Sequence, residues 1–205
     1  MKHNTNLRIK NRIKDFYLVR STTFTLIVIS LCKFLFGFYT SAIGSMLVPI
    51  GETFHINIRT QSTIFLSNNF GQIVIIFFVG YFADKLGKKV VHTLALVLLS
   101  IFALFFNYVD NYIVFMAMFI FMGIFGASIN TIADAAVSDT FENKKGFYLN
   151  IAHVFFGLGA MTSPIVFNLA FKVTGDFRTI YFILFIISIL IFFLYLLQNI
   201  QLLMM

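Results

Sequence analysis

Residues 80–89 read Gly80-Tyr81-Phe82-Ala83-Asp84-Lys85-Leu86-Gly87-Lys88-Lys89. This stretch is short, charged and punctuated by glycine, and a long apolar run lies on each side of it. Such a stretch is typical of a polar connection between two helices that cross a membrane, because charged residues are costly inside the hydrocarbon layer. We therefore predict a membrane protein in which residues 83–89 form one of the connections.

The composition excludes an ordinary soluble domain. Of the 205 residues, 60% are hydrophobic and only 11% are charged, and the mean hydropathy is +0.92. A soluble domain has about a quarter charged residues. The net charge of +7 does not indicate nucleic-acid binding, since the basic residues lie in connections and near the N-terminus without interleaved aromatic residues. Cys32 has no second cysteine to pair with, so neither a disulfide nor a zinc site is predicted.

Six apolar runs approach the roughly 20 residues that a helix needs to cross the hydrocarbon layer. Helices are predicted rather than strands, because a helix satisfies its own backbone hydrogen bonds in lipid. The predicted fold class is an all-α membrane protein with six transmembrane helices, built from a basic tail over residues 1–20 and a bundle over residues 21–205. The predicted spans are Thr22–Pro49, Ser62–Phe82, Val90–Tyr108, Tyr112–Ala136, Phe147–Phe171 and Thr179–Leu197.

Lysine and arginine residues are distributed unevenly over the two sides of these spans. Eleven lie in the tail and in the connections 83–89 and 137–146, whereas the opposite side has only Arg59, Lys172 and Arg178. Short cytoplasmic connections carry an excess of positive residues. We therefore expect an integral, multi-pass protein of the cell membrane with both termini in the cytoplasm.

Polar residues inside the predicted spans are costly and therefore informative. In three spans they recur every three or four residues together with small residues, so each set shares one helical face, and a fourth span adds an amide pair four residues apart. Four such faces around one space predict a substrate-binding cavity. The predicted lining residues are Lys33 in the first span, Asn68 and Gln72 in the second, Asn130 and Asp134 in the fourth, and Asn150 and His153 in the fifth.

Several of these residues also have a structural interpretation. Asn68 and Gln72 are as consistent with interhelical hydrogen bonds as with a cavity. Asp134 lies near the cytoplasmic end of its span, where water or Lys144 can solvate it. Lys33 lies about 16 Å from the start of its span at 1.5 Å per residue. That depth is too great for easy contact with the headgroups, so Lys33 should face either the cavity or a counter-charge.

The pattern G-x-x-x-D-[RK]-x-G-[RK]-[RK] in residues 80–89 resembles the signature between the second and third transmembrane helices of the major facilitator superfamily. The resemblance implies a fold of two six-helix halves with the solute between them, and transport by alternating access. It also implies a conformational role for Gly80, Asp84, Lys85, Gly87, Lys88 and Lys89, with Asp84 tying the loop to the opposite half.

A second resemblance covers the fifth span, where the chain reads Leu149-Asn150-Ile151-Ala152-His153-Val154-Phe155-Phe156-Gly157-Leu158-Gly159-Ala160 and then Pro164. It is similar to the pattern L-N-x-x-H-x-x-F-G-x-G-A of the fucose–proton symporter group and its sodium–glucose-transporter-like relatives. Phe36-Gly37 and Pro49 in the first span agree with the same group. This resemblance implies a sugar as the solute, recognised by amide and imidazole hydrogen bonds.

The chain also departs from that group. Ser45 and Asn130 stand where fucose symporters have the carboxylates implied to handle the proton, and Asp134 stands where the group commonly has asparagine. His153 replaces a glutamine on the substrate side. Coupling to H⁺ or Na⁺ is therefore left open, and the resemblance assigns no role to Lys33.

We predict from these observations a secondary transporter of a small solute that is not an enzyme and needs no cofactor or metal. The six spans equal one half of the family's fold, so we expect either a truncated product or a half that pairs with a second six-helix half or with its own copy. The alternatives are a non-transporting truncated product, a scaffold, or a small integral membrane enzyme. Such an enzyme would need a reactive cluster near the interface, whereas Asp84, His92, Asp139 and Glu142 are scattered.

Overall fold

The computed structural model describes the backbone of residues 2–203 and the side chains of residues 22–198. Helices account for nearly all of this backbone, and the six longest follow the six predicted spans. A single 3₁₀ turn, Phe106–Tyr108, extends the third helix, and another, Glu142–Lys144, precedes the fifth. The helices are α1 Lys2–Thr53, α2 Ile58–Leu86, α3 Lys88–Phe105, α4 Tyr112–Thr140, α5 Lys145–Thr174 and α6 Thr179–Leu203.

All six helices are long and apolar enough to cross a membrane, which confirms the predicted fold class. The predicted tail 1–20 continues into the same helix as the first span, and its side chains lie outside the described residues. Within the described side chains, the stretch of α1 with membrane-spanning composition is Thr22–Thr53.

The predicted spans and the observed helices begin and end at different residues. The first span was ended at Pro49, whereas α1 continues to Thr53, because proline inside a transmembrane helix is tolerated when neighbouring groups compensate for its missing N–H. A connection was predicted over residues 83–89, but α2 continues to Leu86 and α3 begins at Lys88, so only Gly87 lies between them. Gly87 has φ +89° and ψ 139°. That backbone conformation favours glycine, so one residue is enough to separate α2 from α3.

Successive helices run in opposite directions. Near one end of the bundle, the ring of Phe54 after α1 lies 5.6 Å from that of Tyr112 at the start of α4 and 6.5 Å from that of Phe177 before α6. We call this the α1–α2 end. At the other end, the α2–α3 end, Lys88 at the start of α3 forms an ion pair with Asp139 near the end of α4.

Two helix pairs make the most extensive contacts, α1 with α5 and α2 with α4. In the second pair, a β-carbon on Gly71 would lie 2.0 Å from the carbonyl oxygen of Ile120, and one on Gly123 would lie 2.1 Å from that of Asn68. Both distances are far inside van der Waals contact, so only glycine permits this approach. Glycine is commonly found where two membrane helices pack closely, since lipid offers no hydrophobic drive for association.

Helices α3 and α6 pack on each other beside these pairs. Ser100 of α3 donates a hydrogen bond of 2.7 Å to Ser188 of α6, and the buried ring of His92 lies 4.6 Å from that of Tyr195. Aromatic residues fill the core toward the α1–α2 end, where the rings of Phe106 and Tyr181 stack at 4.3 Å. The core therefore lies between α1, α3, α4 and α6, while α2 and α5 are the least buried of the six helices.

Candidate functional site

The site is centred on Lys33, whose side chain is completely buried in the middle of α1. Its ammonium nitrogen lies 2.6 Å from Oδ1 of Asp134 and donates a hydrogen bond of 2.7 Å to Oδ1 of Asn130, both on α4. Asn130 and Asp134 are four residues apart, so they lie one turn apart on the same face of α4. Of the two expectations for Lys33, a cavity or a counter-charge, the structure shows the counter-charge, and Lys33 rather than Lys144 pairs with Asp134.

His153 of α5 approaches the same carboxylate from the other side. Its Nε2 lies 3.7 Å from Oδ1 of Asp134. The exposed fraction of the side chain rises from 0% for Lys33 to 35% for Asp134 and 53% for His153. The ammonium group is therefore enclosed, whereas the carboxylate and the imidazole border the open surface between α4 and α5.

The helix contacts explain why these three side chains meet. Gly37 lies one turn after Lys33, and its α-carbon packs directly against the backbone of α5 at Phe156 and Ala160. This close approach brings the α1 segment at Lys33 level with the α5 segment at His153. Because α1 also packs on α4, the long lysine side chain can span to Asn130 and Asp134 without leaving the bundle.

Asn68 and Gln72 form a separate polar contact between α2 and α4. Asn68 is buried, and its Nδ2 donates a hydrogen bond of 3.2 Å to the carbonyl oxygen of Phe119. The amide of Gln72 donates to Oδ1 of Asn68 at 2.7 Å. The bond from Asn68 corresponds to the interhelical alternative that the sequence left open, whereas the bond from Gln72 stays within α2. Among the described side chains, no hydrogen bond or ion pair joins Asn68 or Gln72 to Lys33, Asp134 or His153.

Asn150 lies one turn before His153 on α5 and is exposed. It forms no hydrogen bond with any described side chain, so its amide is available on the open surface. In the described part of the chain, no group of three or more His, Cys, Asp and Glu residues could hold a metal ion.

The residues of the motif stretch divide between two helices. Gly80, Asp84 and Lys85 lie on the last turns of α2, and Lys88 and Lys89 begin α3 after the turn at Gly87. Lys88 pairs with Asp139 of α4, while Lys85 lies 5.8 Å from the centre of the Tyr81 ring. Asp84 is exposed and has no ion pair among the described residues, so its carboxylate is not neutralised by the neighbouring lysines.

Two functional contacts were missed from the sequence. Asp139 was assigned to a solvated loop, but α4 continues to Thr140 and carries Asp139 to Lys88. The Lys33–Asp134 pair was not predicted either, although Lys33 and Asp134 are the charged residues deepest within their spans. One basic and one acidic residue inside the membrane are expected to pair with each other, and this could have predicted the contact.

Comparison with protein families decides the identity of this helical bundle. The family described as Major Facilitator Superfamily matches residues 29–200, which cover all six helices. The chain belongs to the major facilitator superfamily. Members of this superfamily are transporters that move small solutes across membranes. A comparison with curated proteins finds no match for the chain.

Membership in the major facilitator superfamily explains the placement of the motif stretch at the α2–α3 junction. It also identifies the chain as an integral, multi-pass membrane protein with the six-helix architecture of one half of the family's fold. The Lys33–Asp134–His153 cluster therefore lies in a transporter bundle, on the helices α1, α4 and α5.

Proposed function

We propose that the chain is the amino-terminal half of a secondary transporter that moves a small uncharged solute, a sugar, by alternating access. The solute site would be the open surface formed by Asn130, Asp134, Asn150 and His153. The observation that carries this proposal is the meeting of the Lys33, Asp134 and His153 side chains, contributed by three different helices, at one partly open point.

The chemistry of this surface suits a polyhydroxylated solute. The carboxylate of Asp134 accepts hydrogen bonds, the exposed amide of Asn150 both donates and accepts, and the imidazole of His153 can do either. Hydroxyl groups of a sugar can satisfy all three kinds of group. Asn68 and Gln72 are occupied between α2 and α4, so we propose for them a supporting role rather than direct solute contact.

The sugar assignment also draws on the likeness of residues 149–160 to the fucose-symporter group. Part of that pattern has a packing explanation, because Gly159 is in close contact with the backbone of α1 at Phe34 and Phe38. Asn150 and His153 are the exposed polar members of the pattern, and they support solute recognition.

We further propose that the α2–α3 end faces the cytoplasm and that a second six-helix half, or a second copy of the chain, covers the open surface. The uneven distribution of lysine and arginine supports this orientation. The unpaired carboxylate of Asp84 would contact the opposite half, since no described residue of this half neutralises it. Coverage by a second half would also exclude water from the solute site.

Uptake of radiolabelled hexose tests the proposed function in cells that express the chain alone or with a second half. His153→Ala and Asn150→Ala should each weaken uptake about five- to hundred-fold, since a lost buried hydrogen bond costs about 1–3 kcal/mol. Phe105→Ala, on the exposed surface of α3, is the control and should be neutral. Membrane levels of each variant should equal those of the wild type. Uptake unchanged in both polar variants would place the site elsewhere.

A further inference from the structure

The charge of the candidate site is balanced within the chain. Among the described residues, the cationic side chains within 4 Å of the Asp134 carboxylate are Lys33 from α1 and His153 from α5. Among residues 22–198, α2 and α3 bring no such group to that distance, and the next acid along α4, Asp139, pairs with Lys88. The carboxylate therefore has one buried cationic neighbour, Lys33, and one exposed neighbour, His153.

Ionisable residues inside the membrane mark the ion pathways and proton relays of transporters, so the Asp134 carboxylate is where a coupling cation would be expected to bind. Here the position beside the carboxylate is already taken, because the ammonium nitrogen of Lys33 lies 2.6 Å from Oδ1 of Asp134. Its further hydrogen bond to Asn130 holds the ammonium in place at 2.7 Å. An incoming cation would have to separate this pair and leave the enclosed Lys33 with only an amide oxygen, and an unpaired buried charge is strongly unfavourable.

We propose that Lys33 is a built-in counter-ion that replaces a coupling cation, so that the transporter carries an uncharged solute down its own gradient without H⁺ or Na⁺. This rests on the proposed function of the same site. The ammonium group moves with the protein through the transport cycle, and the pair stays neutral in every state. No charge then has to enter or leave the site when the solute does.

His153 is compatible with this arrangement. Its imidazole is half exposed and lies 3.7 Å from the carboxylate, beyond hydrogen-bond distance, so it does not displace Lys33. Histidine commonly changes charge between about pH 5 and pH 8. The pH dependence of transport would also depend on His153. A spectroscopic measurement of the protonation of the Asp134 carboxyl group is therefore more informative.

Infrared difference spectroscopy on the purified full chain in liposomes detects protonation of the Asp134 carboxyl group, and it requires no solute. Spectra are recorded for pH steps between about pH 5 and pH 8, in the wild type and in Lys33→Met, each with and without Asp134→Asn. The wild type should show no protonated-carboxyl band from Asp134. Lys33→Met should gain such a band, which should disappear in Lys33→Met/Asp134→Asn. Lys33→Arg, which keeps the charge, should resemble the wild type.

Two results would overturn the proposal. One is a protonated-carboxyl band in the wild type that Asp134→Asn removes, because Asp134 would then take a proton despite Lys33. The other is the lack of a new band in Lys33→Met, because the carboxylate would then need no counter-ion. If Lys33→Met does not fold, Lys33→Gln keeps a polar side chain beside Asn130 and replaces it, and the comparison of the wild type with Asp134→Asn remains decisive.

A transport measurement separates this proposal from the sugar assignment. Uptake of radiolabelled D-glucose into the same liposomes should be unaffected in the wild type when a protonophore is added or Na⁺ is replaced by choline. Uptake by Lys33→Met should be lost when the proton gradient is dissipated. Wild-type uptake that stops with the protonophore would overturn the proposal. A lack of uptake in all variants would count against the sugar assignment or against transport by this chain without a different second half, and the infrared result would still decide the role of Lys33.

Discussion

Gly37 of α1 and Gly159 of α5 each lie against the backbone of the other helix. A β-carbon on Gly37 would lie 2.1 Å from the carbonyl oxygen of Phe156, and one on Gly159 would lie 2.1 Å from that of Phe34. Each of these carbonyls belongs to the residue three positions before the partner glycine, and Gly71 and Gly123 repeat the same arrangement between α2 and α4. The α2–α4 pair therefore repeats the packing of the α1–α5 pair. In this repeat α4 corresponds to α1 and α2 corresponds to α5, as expected for inverted repeats within one half of a transporter.

The first prediction concerns this contact. Gly159→Ala should lower the free energy of unfolding by about 2 kcal/mol, because the added methyl group must push α1 away from α5. Thermal unfolding of the purified protein in detergent measures the change. Gly157→Ala is the matched control two residues earlier on α5, where a β-carbon meets nothing within 4 Å. It should be neutral or stabilise by up to about 1 kcal/mol through helix propensity. Equal unfolding temperatures for the two variants would contradict the packing role of Gly159.

The second prediction concerns the Lys33–Asp134 pair and depends on the difference in burial between its members. Asp134→Asn leaves the enclosed ammonium without an anion and should destabilise the fold by about 3–5 kcal/mol. Lys33→Met should cost less, because the Asp134 side chain that loses its partner is 35% exposed, whereas the Lys33 side chain is fully enclosed. The double variant Lys33→Met/Asp134→Asn should be more stable than Asp134→Asn alone. Additive losses in a double-mutant cycle would show that the pair does not interact.

The third prediction concerns orientation in the membrane. In a Cys32→Ala background, cysteines placed at Glu52 and Asp110, both exposed near the α1–α2 end, should react in intact cells with a membrane-impermeant thiol reagent. A cysteine at Asn143, exposed at the α2–α3 end, should react only after the cells are opened. The reason is the excess of lysine and arginine at the α2–α3 end. Labelling of the Asn143 cysteine in intact cells would invert the topology.

The amino-acid sequence by itself determined the number of helices, their place in the chain and the superfamily motif at residues 80–89. Apolar length controls membrane insertion, and each transmembrane helix satisfies its own backbone hydrogen bonds, so these features depend on local sequence. Helix ends were less predictable, since polar turns such as 137–140 of α4 remain helical beyond the apolar run.

The tertiary structure decided which polar residues meet. Polar residues on the face of a single helix could not show that Asn68 of α2 bonds to α4, while Lys33, Asn130, Asp134 and His153 come together elsewhere. The 101 positions from Lys33 to Asp134 are bridged because α1 packs on α4, where Gly126 leaves room for the Tyr39 ring. Helical periodicity specifies the face on which a side chain lies, and the packing of several helices specifies its neighbour.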